Sequence, residues 1–353
     1  MNFLTNSNLG SSKLGFKGTE DLGGGLTAVF KLEGGLKNES GNGKSSNTSN
    51  QANGGCTSGN VSLVNTAKQN PTLTTGTTAC SPNGSQGLDF QRYSYVGIDG
   101  NFGSLHLGRE YIYSFWYGEG TVDPFSTNGP AQNTNMFYHV SGTGAGGAFV
   151  GTNASNMVSY LTPDAPVQGG VQYFFGNNVA ASATTVTATT ANVGHSDGTG
   201  YSAFLKYQQG PLLITGAISN TQYQLKGNYK VTALSAQYDL TSAASLMYTY
   251  AKESQAAYGD NTMNMIGGTY TVGATKWKAT YTHASTAGLT AATTGTGNQY
   301  GLGVDYALSK RTKLYTTVAE VTNSGNAGYV TGAVTPGAGT KSGNIAFGVY
   351  SAF

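Results

Sequence analysis

A two-residue rhythm runs through this chain to its last residue: in Asn344-Ile345-Ala346-Phe347-Gly348-Val349-Tyr350-Ser351-Ala352-Phe353, larger apolar or aromatic residues alternate with small or polar ones. It recurs upstream, where Tyr300, Leu302, Val304, Tyr306 and Leu308 fall on one face and Gly301, Gly303, Asp305 and Ala307 on the other. Similar runs stand at Leu14/Phe16 and Tyr201/Ala203/Leu205/Tyr207. Period two is the signature of a strand with two different surroundings. An apolar row meets either a second sheet or lipid. If it meets lipid, the sheet must close on itself, because hydrocarbon satisfies no open edge.

Composition favours lipid. With 53 Gly and 23 Tyr in 353 residues, the strands carry too few large aliphatics to fill a soluble core of that size, and the aromatics suit belts at membrane interfaces. No apolar run reaches the roughly 18–20 residues of a spanning helix. The start, Met1-Asn2-Phe3-Leu4-Thr5-Asn6, has no basic, apolar and cleavage regions of a signal peptide, which implies either an intracellular protein or a chain without its front end. Charged residues are 10% and the net charge is +2, with Lys and Arg scattered singly, so nucleic acid is excluded as a partner. Cys56 and Cys80 share a polar stretch with no His nearby; the reading is one disulfide pinning a long loop, since a metal site needs more ligands.

Nothing points to an enzyme or to a cofactor. His106, His139, His195 and His283 stand in unrelated segments, and there is no nucleophile elbow, phosphate loop or paired metal-ligand motif. The acidic pair in Thr19-Glu20-Asp21 reads as a solvated turn before a Gly-rich hairpin.

Fifteen strands are predicted, at 11–20, 25–34, 90–99, 103–110, 153–162, 168–176, 200–208, 212–220, 230–239, 243–252, 263–272, 274–283, 298–308, 312–322 and 343–353. Tight turns alternate with long segments at 35–89, 111–152, 177–199, 254–262, 284–297 and 323–342. That alternation puts the long loops at one end of an antiparallel sheet. The expected fold is all-β, a transmembrane antiparallel β-barrel forming one domain over 1–353. A closed antiparallel barrel needs an even count, so the chain reads as one strand short, with a seam or imperfect pairing between 343–353 and 11–20.

Several segments resemble the general porins of Gram-negative outer membranes, in the beta-proteobacterial and neisserial branch. They are Ser12-Lys13-Leu14-Gly15-Phe16-Lys17-Gly18-Thr19-Glu20-Asp21-Leu22-Gly23-Gly24-Gly25-Leu26, Tyr95-Val96-Gly97-Ile98-Asp99-Gly100-Asn101-Phe102-Gly103, Leu107-Gly108-Arg109-Glu110-Tyr111, Val122-Asp123-Pro124-Phe125 and Tyr306-Ala307-Leu308-Ser309-Lys310-Arg311-Thr312-Lys313-Leu314-Tyr315. The resemblance implies a sixteen-stranded barrel, a homotrimer in outer-membrane lipid and lipopolysaccharide, and passive diffusion of small ions and hydrophilic solutes. It also implies a constriction loop at 111–152, an external loop at 35–89, and a first strand and signal peptide absent from this chain. A cell-surface adhesion or structural protein is the other class with this composition, and it would show a repeat and a stalk, neither of which is evident.

The candidate pore-lining residues follow from parity. Lys13 and Lys17 oppose Leu14 and Phe16, and Lys31 opposes Phe30 and Leu32; a charge facing lipid near the midplane costs about 2–4 kcal/mol, so these lysines face the lumen. Arg92 joins them as a wall cation. Arg109 shares the face of Leu107 by strict alternation, while the Leu-Gly-Arg resemblance implies that it lines the pore. Glu110, Glu119 and Asp123 are the acidic candidates, the last two expected to face the cations across the constriction; the wall cations outnumber the acids, so the pore is expected to favour anions modestly.

Overall fold

The computed structural model describes residues 9–37, 42–44, 62–64, 72–74, 85–86, 90–137, 151–176, 198–223, 227–288, 294–331 and 338–352. Cys56, Cys80 and Phe353 lie outside them, and with them the expected disulfide. Among the described residues fifteen strands build one large sheet: β1 (Lys13–Gly23), β2 (Leu26–Lys37), β3 (Tyr93–Gly100), β4 (Gly103–Tyr111), β5 (Asn153–Leu161), β6 (Val167–Phe174), β7 (Gly200–Gln209), β8 (Leu212–Thr221), β9 (Tyr229–Asp239), β10 (Ala244–Gln255), β11 (Gly259–Val272), β12 (Thr275–Ala287), β13 (Gly295–Ala307), β14 (Thr312–Gly325) and β15 (Lys341–Ser351). Short ladders at Asn42–Lys44 and Ser85–Gln86 extend the end of β2.

Each strand pairs antiparallel with the next, β2 reaching β3 across the long 35–89 excursion. Register carries the alternation from strand to strand: Trp277 pairs with Val304, and Tyr281 with Tyr300, all on the outer face. That face is a continuous apolar surface, with Phe347 82% exposed and Leu302 66%. A soluble sandwich would bury such a row; here it is the surface that lipid covers.

The expectation of a closed barrel is overturned. Among the described residues β1 has a ladder to β2 and β15 a ladder to β14, and none joins β15 to β1. The reason is the odd count: after fifteen alternating strands the first and last run in the same direction, so the antiparallel ladder that unites every other pair is impossible between them. β1 is accordingly exposed along nearly its whole length. The sheet nevertheless curls until its edges touch, since a Cβ added to Gly10, just before β1, would stand 3.0 Å from the Tyr350 ring of β15.

One connection differs from its expected length. The predicted long loop at 254–262 is a turn of three residues between β10 and β11, closed by Tyr258 N–H to Gln255 C=O at 2.9 Å. Its polar residues look like loop but act as cross-strand pairs: Lys252 meets Asp260 at 2.8 Å, and Asn261 donates to Glu253 at 3.0 Å.

Candidate functional site

At Tyr111 the chain leaves β4 and runs along the concave face of the sheet. It forms a single helical turn (Tyr113–Phe115), a wider π turn (Trp116–Gly120) and a 3-10 turn (Asn133–Met136). Such an irregular path leaves backbone groups unpaired, and the inner positions of the wall supply their partners. Gln172 of β6 accepts from Tyr113 N–H and donates to Tyr111 C=O, both at 2.9 Å. Ser202 of β7 accepts from Ser114 N–H at 3.0 Å, and Thr215 of β8 donates to Tyr117 C=O at 2.6 Å. Ser235 of β9 donates to Gly118 C=O. Farther round, Asn261 of β11 donates to Met136 C=O at 3.1 Å, and Gln299 of β13 donates to Gln132 C=O at 3.0 Å. Apolar-out alternation leaves small hydroxyls and amides inward, and these are the rungs that hold the segment.

Glycine gives it room. A Cβ at Gly301 would meet Ala131 at 2.5 Å, and one at Gly303 would meet the Phe125 ring at 2.7 Å. Beside that ring Lys278 Nζ lies 5.0 Å from its centroid and 2.8 Å from Asp305. The turn just after Phe125 carries Ser126 and Thr127 at φ of 52° and 56°, a conformation costly for side-chain-bearing residues. Asp123 offsets that cost by accepting from Phe125 and Thr127 N–H at 2.9 Å each and from Asn133 N–H at 3.2 Å. Burial nonetheless pushes the Asp123 carboxyl above its ordinary pKa.

The inner face of β1 to β4 is different. Lys17 pairs across the ladder with Lys31, and Gly15 with Glu33; Lys31 and Glu33 in turn face Tyr95 and Tyr93. Glu33 is nearly buried and gathers three cations: Arg92 at 2.7 Å, Lys13 at 3.5 Å and Lys31 at 3.7 Å. Lys17 makes no ion pair among the described residues and is exposed.

The structure therefore brings Lys13, Lys17, Lys31 and Arg92 to one patch, whereas Glu119 and Asp123 lie elsewhere, buried within the segment against the wall. The carboxylate at the centre of the cations is Glu33. Its signal was legible, because Lys31 and Glu33 are two apart and share a face. Arg109 sits at a bulge between Gly108 and Glu110 and pairs with Ser94, whose β2 partner is the outer-face Leu32. Its guanidinium donates to Gln91 C=O and, at 2.7 Å, to Ser155 Oγ. Gly108 permits the bulge, at φ 142° and with Ser94 C=O 2.2 Å from where a Cβ would stand. Glu110 is buried against His106 Nδ1 at 2.5 Å, and His106 Nε2 reaches Asp99 at 3.3 Å.

An apolar outer face, a polar segment bound inside and charges left open along one arc describe a wall around water. The sequence agrees: a family model described as Gram-negative porin matches residues 2–326. The chain belongs to the Gram-negative porin family. This porin is 28% identical over 327 residues to outer membrane porin protein 32 of Delftia acidovorans, covering 91% of this chain and 77% of the relative. Its fold matches that of the anion-selective porin from Comamonas acidovorans with a TM-score of 0.72 over 99% of this chain and 91% of that one, at 24% identity. OmpT, an outer membrane protein of Vibrio cholerae, shares the fold at a TM-score of 0.59 and 14% identity, over 97% of this chain and 89% of that one. The porin is an outer-membrane protein whose strands cross the membrane many times. It forms a channel for passive diffusion of small hydrophilic solutes, and its work is transport rather than catalysis.

Proposed function

We propose that this porin is a homotrimeric, anion-favouring diffusion channel whose narrowest part lies between the 111–152 segment and the cationic arc of β1 to β3. The observation that carries the reading is the arc itself: Lys13, Lys17, Lys31 and Arg92 stand around the single carboxylate Glu33. In a lumen bounded by low-dielectric walls, that excess raises the local anion concentration. The likeness in fold to the anion-selective porin from Comamonas acidovorans supports the same sign. Glu110, with Asp99, pairs with His106 on β4 and tempers the field rather than reversing it. Arg109 acts here by fixing the bulge that turns Glu110 inward, and Glu119 and Asp123 act by holding the segment's shape.

The test is the reversal potential of the purified protein in a planar bilayer under a potassium chloride gradient. An anion-favouring sign supports the reading, and a cation-favouring sign refutes it. Stoichiometry is read from conductance steps in groups of three and from a compact gel band that dissociates on boiling. In the same reading 35–89 is an external loop closed by a Cys56–Cys80 disulfide, which a mass shift on alkylation only after reduction would establish.

A further inference from the structure

The open arc carries rings as well as charges. Trp116 of the inserted segment lies 5.6 Å from Tyr111, Tyr111 lies 5.1 Å from Tyr93, Tyr93 lies 6.2 Å from Tyr95, and Tyr95 stacks on His106 at 4.2 Å. None of these rings belongs to the lipid-facing row: Tyr93 and Tyr95 pair in the ladder with Glu33 and Lys31, and His106 with Gly97. Cations line the same row. Lys31 Nζ is 3.5 Å from the centre of the Tyr93 ring, and Arg92 Cζ is 5.4 Å from that of Tyr111.

One member of the row is conspicuously unsatisfied. Tyr111, Tyr113 and Phe115 around it are buried, yet Trp116 is 46% exposed. A large indole left open inside a water-filled conduit, beside rings already in edge or tilted contact, is a free stacking surface next to positive charge.

We propose that this row is a track for planar aromatic carboxylates of the benzoate class, the ring passing over Trp116 and Tyr93 while the carboxylate is handed between Lys31 and Lys17. The proposal rests on the anion-favouring reading above and adds a preference for flat, unsaturated rings. Ring stacking is modest and screened charges hold weakly, so the solute is retained briefly and released, as conduction requires.

The experiment measures block of the chloride current through the trimer by benzoate and by cyclohexanecarboxylate, which has the same charge and a puckered saturated ring. Benzoate is expected to halve the current at a roughly fivefold lower concentration. Trp116→Leu should remove the difference, Trp116→Phe should restore most of it, and neither should move the chloride reversal potential. Tyr95→Leu, on the wall side, should weaken it independently. Equal block by the two acids in the parent, or a difference that survives both leucine variants, overturns the proposal. The neutral pair phenol and cyclohexanol separates the two readings: if the reversal potential shows no anion preference but phenol still blocks better than cyclohexanol in a Trp116-dependent way, the ionic reading fails and the aromatic track stands.

Discussion

Two arcs of one sheet share strand geometry and alternation, yet their inner faces do opposite things. From β6 to β13 the inward positions include Gln172, Ser202, Thr215, Ser235, Asn261 and Gln299, and the segment after Tyr111 lies on them, its N–H and C=O groups taken one by one. From β1 to β4 they include Lys13, Lys17, Lys31, Glu33, Tyr93, Tyr95 and His106, a set of charges and rings in place of hydroxyls and amides. Short neutral donors let a backbone approach and leave no charge to desolvate, whereas lysines keep their water unless fully paired. The chemistry of every second residue thus decides which side of the lumen is filled and which side stays wet.

The comparison breaks most visibly if the filled side is emptied. Replacing 113–136 by a short Gly/Ser linker should raise single-channel conductance roughly twofold or more, because in the proposed reading the segment narrows the conduit. Unchanged conductance would mean that it does not restrict the path. A gentler disturbance is Gly303→Leu, which drives a side chain into Phe125 and should destabilise the docked segment by about 1–3 kcal/mol. Faster amide exchange in 123–133 would report it. Gly343→Leu should do nothing there, since a Cβ at Gly343 meets nothing nearer than 3.8 Å.

Gln172→Ala removes both bonds that hold the start of the segment and leaves a buried N–H and C=O unpaired, a cost of about 1–3 kcal/mol. Accelerated exchange confined to 111–118 is expected, and exchange no faster than in the parent would show that Gln172 is not a rung. On the wet side the smallest change is Glu33→Gln, which leaves the cations less neutralised. Anion preference should rise, more so at low salt, because the screening length is about 8 Å at physiological ionic strength and grows on dilution. A fall in anion preference would contradict the assignment of Glu33 as the arc's counter-charge.

Much of this was legible in the sequence, for a physical reason. Alternation with period two fixes strand, face and register together, so each of the fifteen strands lies within a few residues of its expected place, and Lys13, Lys17 and Lys31 lie on the inner face. Strand ends were shorter in the sequence than in the fold where polar pairs such as Lys252 with Asp260 carry the ladder past the apolar band. The barrel that the alternation suggested does not close, and the seam between 343–353 and 11–20 was legible from the same alternation, because an odd count forbids the last antiparallel ladder. The placing of Glu119 and Asp123 was hidden for another reason. A carboxylate in an irregular segment has no parity to read, and Asp123 spends its acceptors on its own turn. Glu33 was visible in the pattern but not as the hub of three cations, since Arg92 reaches it from 59 positions away in sequence.

The claim that one arc sets ionic preference while the other holds the segment is tested most directly by matched charge reversals. Lys17, on the open arc, and Lys276, on β12, are both exposed and lie on inward-facing positions of the sheet. Reversal potentials of Lys17→Glu and Lys276→Glu, recorded in the same salt gradient at low ionic strength, should differ: Lys17→Glu is expected to move strongly toward cations and Lys276→Glu only slightly. An equal or larger shift from Lys276→Glu, in variants that assemble like the parent, would contradict the account.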